Sequence, residues 1–170
     1  MNSSGNEFDA LNGGYNIGVG TGSVGKASAE ASTLFRAEPG KSLTGPIVSI
    51  GDNGGIGTVT LNHASFAAYS YSIGVSGNGT FDLENNSTGT SLRPNVAGNI
   101  SSEQFIPMTI GASGGSGTVT LNNSSLTAFD VYVGASNGVT SSPTTGTVTL
   151  TNSSSFSGGA LFLGEGGTGS

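Results

Sequence analysis

Cysteine and tryptophan are absent, histidine occurs once, and four lysines and arginines face ten aspartates and glutamates. Without cysteine there is no disulfide framework and no thiolate metal site, and one histidine leaves no histidine cluster for a metal. So few basic residues argue against a nucleic-acid partner, which needs a cationic face to displace counterions from phosphates. Charged residues are 8% of the chain, against about 25% in ordinary soluble domains, so paired catalytic charges are scarce from the outset. No segment approaches the roughly 18 uninterrupted apolar residues of a membrane-spanning helix. The opening MNSSGNEFDALNGGY has neither a basic nor an apolar signal region, so the expectation is a processed chain or a segment of a longer protein.

What fills the 170 residues instead is Gly 31, Ser 27, Thr 19 and Asn 15, more than half of all positions. That composition suits disorder unless the apolar residues recur at a fixed spacing. They do recur. An apolar residue followed by glycine stands at Ile17, Ile50, Ile73, Ile110, Val133 and Leu163. Two of the intervals, Ile50 to Ile73 and Ile110 to Val133, are 23 residues, and the others read as the same unit carrying insertions. A second anchor, GTVTL, begins at Gly57, Gly117 and Gly146, with GTFDL at Gly79. A third follows at Ser65-Phe66, Ser125-Leu126 and Ser155-Phe156.

Within GTVTL the side chains alternate, so Val59 and Leu61 share one face and Thr58 and Thr60 the other. Three such short strands per unit cannot bury an apolar face alone, but stacked units make a continuous core. The expected fold is therefore all-β: a parallel β-solenoid spanning residues 15–170, of about five to six rungs with roughly 23 residues per rung and loop insertions. At about 4.8 Å per rung this is a rod roughly 25 to 30 Å long. Residues 1–14 are expected to be an N-terminal cap or linker. The best helical candidate, Lys26 to Phe35, would add at most a turn inside the first insertion.

Candidate positions follow from the columns. His63, Asn85, Asn123 and Asn152 sit two residues after the leucine of each repeat. Stacked asparagines hydrogen-bond along a solenoid and accept the left-handed backbone of tight corners, so this column is structural, His63 included. The outward residues Thr58, Thr80, Thr118 and Thr147 form one ladder, and Thr60, Asp82, Thr120 and Thr149 a second. A ranked Thr-x-Thr face resembles that of ice-binding β-solenoids, although Asp82 interrupts it. Threonine also simply favours strands and pairs with itself across a ladder. Asp82 and Glu84 lack the basic companions that sugar-cleaving β-helices place beside carboxylates, so no catalytic residue and no cofactor are expected. Asp52-Asn53-Gly54-Gly55 reads as a turn in place of a calcium site. The Asn-x-Ser/Thr strings, as at Asn85 and Asn123, are what this composition yields by chance.

All four basic residues lie in what read as the two long insertions, Lys26 to Pro46 and Glu84 to Pro107. Loops on a rigid scaffold often carry function, so Arg36, Lys41 and Arg93 are the ligand-contact candidates. If both insertions leave the same corner, they lie two rung spacings apart.

The strings IGASGGSGTVTLNNSSLTAFDVYVGAS and IGDNGGIGTVTLNHASFAAYSYSIGVS, from Ile110 and Ile50, resemble the passenger repeats of bacterial autotransporter adhesins and related surface β-helix proteins. The resemblance covers Ile47 to Ser170 and, more weakly, Tyr15 to Gly25. It implies a right-handed parallel β-helix at the bacterial cell surface or outside the cell. It also implies adhesion or self-association, with no catalytic residue to carry over. The expected partners are further copies or a continuing rod, or a host or environmental glycan or protein. The competing expectation is an ice- or carbohydrate-binding module. The final EGGTGS stops where a further GTVTL would begin, which predicts either a cut rod or a head-to-tail assembly.

Overall fold

Alternating small polar and apolar residues, rich in threonine and valine, favour a pleated surface with one face buried. The computed structural model describes residues 7–9, 15–18, 20–30, 34–36, 47–68, 70–91, 107–135 and 143–170, and among these every regular element is a strand. The strands fall into three six-stranded sheets. Sheet I contains β1 (Glu7–Asp9), β4 (Leu34–Arg36), β7 (Ser65–Ala68), β10 (Thr88–Ser91), β13 (Ser125–Thr127) and β16 (Ser155–Ser157). Sheet II contains β2 (Tyr15–Ile17), β5 (Ile47–Ile50), β8 (Ser70–Val75), β11 (Met108–Ala112), β14 (Asp130–Ala135) and β17 (Ala160–Leu163). Sheet III contains β3 (Val24–Glu30), β6 (Ile56–Asn62), β9 (Asn78–Glu84), β12 (Ser116–Asn122), β15 (Thr145–Thr151) and β18 (Thr168–Gly169). Every third strand pairs in parallel with its predecessor, so the chain winds I, II, III and repeats: a parallel β-solenoid.

The core is a set of columns. Val59, Phe81 and Val119 stack beside Leu61, Leu83 and Leu121 from sheet III. Ile50, Ile73, Ile110 and Val133 stack from sheet II. All of these are essentially inaccessible to solvent, and burying each such side chain contributes about 1.5 to 3 kcal/mol. From sheet I come Phe66, Gly89, Leu126 and Phe156 in register. Gly89 stands where its neighbours carry Phe and Leu because Leu126, with Leu83 behind it at 3.3 Å, fills that space. A Cβ on Gly89 would meet Leu126 Cδ1 at 2.5 Å and Phe81 Cε1 at 3.6 Å. The Phe81 ring stacks on Tyr71 (5.4 Å between centroids) and meets Phe66 edge-on at 6.2 Å. The buried Tyr71 hydroxyl reaches the carbonyls of Phe66 at 2.7 Å and Thr90 at 3.2 Å, and burial pushes its ionisation above the usual range for tyrosine.

Two boundaries differ from the sequence reading. Lys26 to Phe35 is not a helical turn within an insertion: Val24–Glu30 is the sheet III strand of its turn, with Gly25 opposite Gly57. The repeat is disguised there because Ala27 and Ala29 stand opposite Val59 and Leu61. Likewise the second insertion begins after Ser91, since Thr88–Ser91 pairs with Ser65–Ala68. Gly89 in the place of an apolar anchor hides that strand from a hydrophobicity search. Within residues 1–14, Glu7–Asp9 pairs with Leu34–Arg36 and extends sheet I.

Candidate binding surfaces and corners

The outward face of sheet III carries the two threonine ladders in strict register, Thr58, Thr80, Thr118, Thr147 and Thr60, Asp82, Thr120, Thr149. Lys26 and Ser28 precede them in the same columns. Most of these side chains are half-buried, because neighbours one strand spacing away, about 4.8 Å, cover their flanks. At Asp82 the same crowding raises the carboxyl above its ordinary range: burial disfavours the charge, a hydrogen bond with Thr120 opposes that, and Glu84 adds repulsion.

Sheet I bears a second hydroxyl array that the sequence reading did not single out. Ser65, Thr88, Ser125 and Ser155 form one column and Ala67, Thr90, Thr127 and Ser157 the next. Thr88 donates to Ser65 at 2.7 Å, and the Thr127 and Ser157 hydroxyls lie 3.1 Å apart. The signal was the Ser-Phe and Ser-Leu anchor itself, whose hydroxyl alternates with a core residue.

Between sheets III and I the chain turns through His63, Asn85, Asn123 and Asn152, all exposed and all left-handed, with φ between 49° and 53°. The predicted asparagine column therefore occupies the corners, but its side chains do not bond to one another. Asn85 donates to Asn62 at 2.9 Å, Asn123 to Asn86 at 3.3 Å and Asn152 to Asn122 at 2.8 Å. The offset arises because two corners hold one more residue: Asn85-Asn86 and Asn152-Ser153 are left-handed pairs, whereas His63 and Asn123 are single. The His63 ring accompanies Asn62 at 3.0 Å.

Beneath this corner runs a serine ladder that was missed. The backbone N–H groups of Ala64, Ser87 and Ser124 each donate, at 3.2 Å, to the hydroxyl of Ser87, Ser124 and Ser154 in the next turn. Those hydroxyls donate in turn to carbonyls of their own corner, Glu84 at 2.6 Å and Asn122 at 3.0 Å for the first two. Buried donors and acceptors are thereby satisfied. The sequence carried the signal as a serine, Ser87, Ser124 and Ser154, immediately before three of the sheet I strands, with Ala64 in that place before β7.

Asp52 follows the corner between sheets II and III. Its carboxylate accepts from Ser72 Oγ at 2.6 Å and from the Val75 N–H at 2.9 Å. Burial raises its carboxyl while hydrogen bonds led by Ser72 oppose the shift. Asp52 to Gly55 is the expected turn, closed by Gly55 N–H donating to the Asp52 carbonyl at 3.0 Å.

The basic candidates are dispersed. Arg36 ends β4, opposite Ala67, on a strand instead of in a loop, while Lys41 and Arg93 lie outside the described residues. The first two insertions do leave the same I-to-II corner, after β4 and after β10, and the third leaves between β14 and β15. Among the described residues no group of three or more His, Cys, Asp or Glu could hold a metal ion. No helix among them is long and apolar enough to cross a membrane. Compared with protein-family models, curated proteins and solved structures, the chain matches none.

Proposed function

We propose that the chain is a noncatalytic extracellular rod with a structural and adhesive role: a segment of a bacterial surface adhesin, akin to autotransporter passenger repeats, or a self-associating filament subunit. The observation that carries this reading is the strict register of columns on the sheet I and sheet III faces, which presents uncharged hydroxyls and amides at a fixed repeat on a rigid core. Of the described groups with acid–base chemistry, Asp52 ties two turns together and His63 occupies a corner.

The test couples beads to the purified chain, measures their retention on epithelial cells, mucin, cellulose and chitin, and follows the free chain by light scattering. Retention above beads bearing an unrelated globular protein, or mass growth with concentration, is expected. A monomer whose beads are not retained overturns the reading.

The threonine ladders favour ice binding as a second reading, because ranked hydroxyls and methyls on a flat sheet can order water. Thermal hysteresis abolished by Thr118→Tyr with Thr120→Tyr would establish it, and freezing at the colligative temperature would remove it.

A further inference from the structure

Where sheet III turns into sheet I, a groove of about 280 Å³ crosses three successive turns and is lined by Asn86, Thr88, Asn123, Ser125, Ser153 and Ser155 above the buried hydroxyls of Ser87 and Ser124. Its shape follows from the unequal corners. Asn86 and Ser153 are the extra left-handed residues on either side of the shorter corner at Asn123, so two bulges flank a recess. Its floor is fixed, because the Ser87 and Ser124 hydroxyls are both engaged in the serine ladder.

The rim is different. Asn123 Nδ2 donates to Asn86 Oδ1 at 3.3 Å, which orients both amides. The other halves, Asn86 Nδ2 and Asn123 Oδ1, have no hydrogen-bond partner among the described residues, and neither do the hydroxyls of Ser125, Ser153 and Ser155. The rim thus offers an amide donor, an amide acceptor and hydroxyls of both kinds, with no charged side chain in the lining. An ionic ligand would find nothing to neutralise it, and an apolar one would leave these groups desolvated. A neutral polyhydroxylated chain satisfies both requirements.

We propose that this groove binds a neutral glycan, one to two sugar rings filling the recess and the chain continuing along the rod axis over the Thr88, Ser125 and Ser155 column. The proposal rests on the adhesive reading above and names the ligand and its site. The Asn86 and Asn123 amides, held by their mutual bond, lower the entropic cost of binding, and the solenoid repeat lets successive turns present similar partners.

The experiment titrates the full chain with cellotetraose, maltotetraose, mannotetraose and chitotetraose by calorimetry and amide chemical shifts. At least one should bind, with shifts concentrated at Asn86, Asn123 and Ser125. The double variant Ser125→Ala/Ser155→Ala, and separately Asn123→Gly, which keeps the left-handed corner, should weaken that binding ten-fold or more without lowering the melting temperature by more than a few degrees. Thr118→Ala on sheet III should leave it unchanged. No binding of any of the four, or binding indifferent to the groove variants, overturns the proposal. If wild-type beads are retained and Ser125→Ala/Ser155→Ala beads are retained equally, the groove fails while the adhesive reading stands; if no beads are retained, the adhesive reading fails itself.

Discussion

Both the corner after sheet II and the corner after sheet III hold residues in the left-handed region, yet the first left-handed position after sheet II requires glycine, although Asn53, Ser76 and Ser113 lie left-handed just beyond it, and the position after sheet III does not. At Gly111, φ is 67° and an added Cβ would lie 1.9 Å from the Thr145 carbonyl oxygen of the next turn. At Asn123, φ is 49° and the side chain stands in solvent, where it bonds to Asn86. The backbone conformation is nearly the same, and the difference is what lies behind the Cα. A left-handed residue with open space selects asparagine, whereas one pressed against a carbonyl admits no side chain at all.

The widest separation of the two corners should come from Gly111→Ala. Steric overlap adds to the conformational cost, so a loss above about 4 kcal/mol, or failure to fold, is expected in a urea titration followed by circular dichroism. Gly89 isolates the steric half, because its φ is not positive while its Cβ would strike Leu126. Gly89→Ala should cost about 1 to 3 kcal/mol by overpacking, and Leu126→Val in the same chain should recover part of it, a coupling readable from a double-mutant cycle. Asn123→Ala isolates the conformational half and should cost about 1 to 2 kcal/mol, with Asn123→Gly recovering most of that.

The two partly buried carboxylates, Asp52 in the corner after sheet II and Asp82 within sheet III, give a smaller, signed effect. Asp52 and Asp82 both have carboxyls raised by burial, so the folded chain holds these protons more tightly than the unfolded one. Their contribution is fully present below the ordinary aspartate range and is lost as pH rises through the raised values. Urea midpoints should therefore be higher at pH 4 than at pH 7, and Asp82→Thr, which completes the ladder, should narrow the gap; a midpoint that falls on acidification contradicts this. The smallest effect belongs to His63→Asn, which matches the corner elsewhere in the stack and should stay within about 0.5 kcal/mol.

Particular residues show how far the sequence could be read. The GTVTL strings disclosed sheet III, and the apolar-Gly pairs disclosed sheet II, because each repeats a side-chain alternation that only a half-buried strand satisfies. Where small residues replace the apolar anchors, at Ala27 and Ala29 opposite Val59 and Leu61 and at Gly89, the same alternation lost its hydrophobic contrast, and two strands passed for insertions. The asparagine corners were legible from spacing, but their cross-turn partners were not: one extra residue at Asn86 and at Ser153 shifts every amide by a position. For the same reason the groove could not be foreseen, since it exists only where a short corner stacks between two longer ones.

Periodicity by itself determined that this chain stacks short strands into a solenoid, because three short alternating strands in a unit of about 23 residues bury their apolar faces only against the units above and below. Tertiary structure alone decided which glycines face a neighbouring carbonyl, which serines lie beneath the corners, and which hydroxyls are left to meet a ligand. Those properties depend on distances between turns, and residues 23, 30 or 37 positions apart become neighbours only once the unequal corners have set the register.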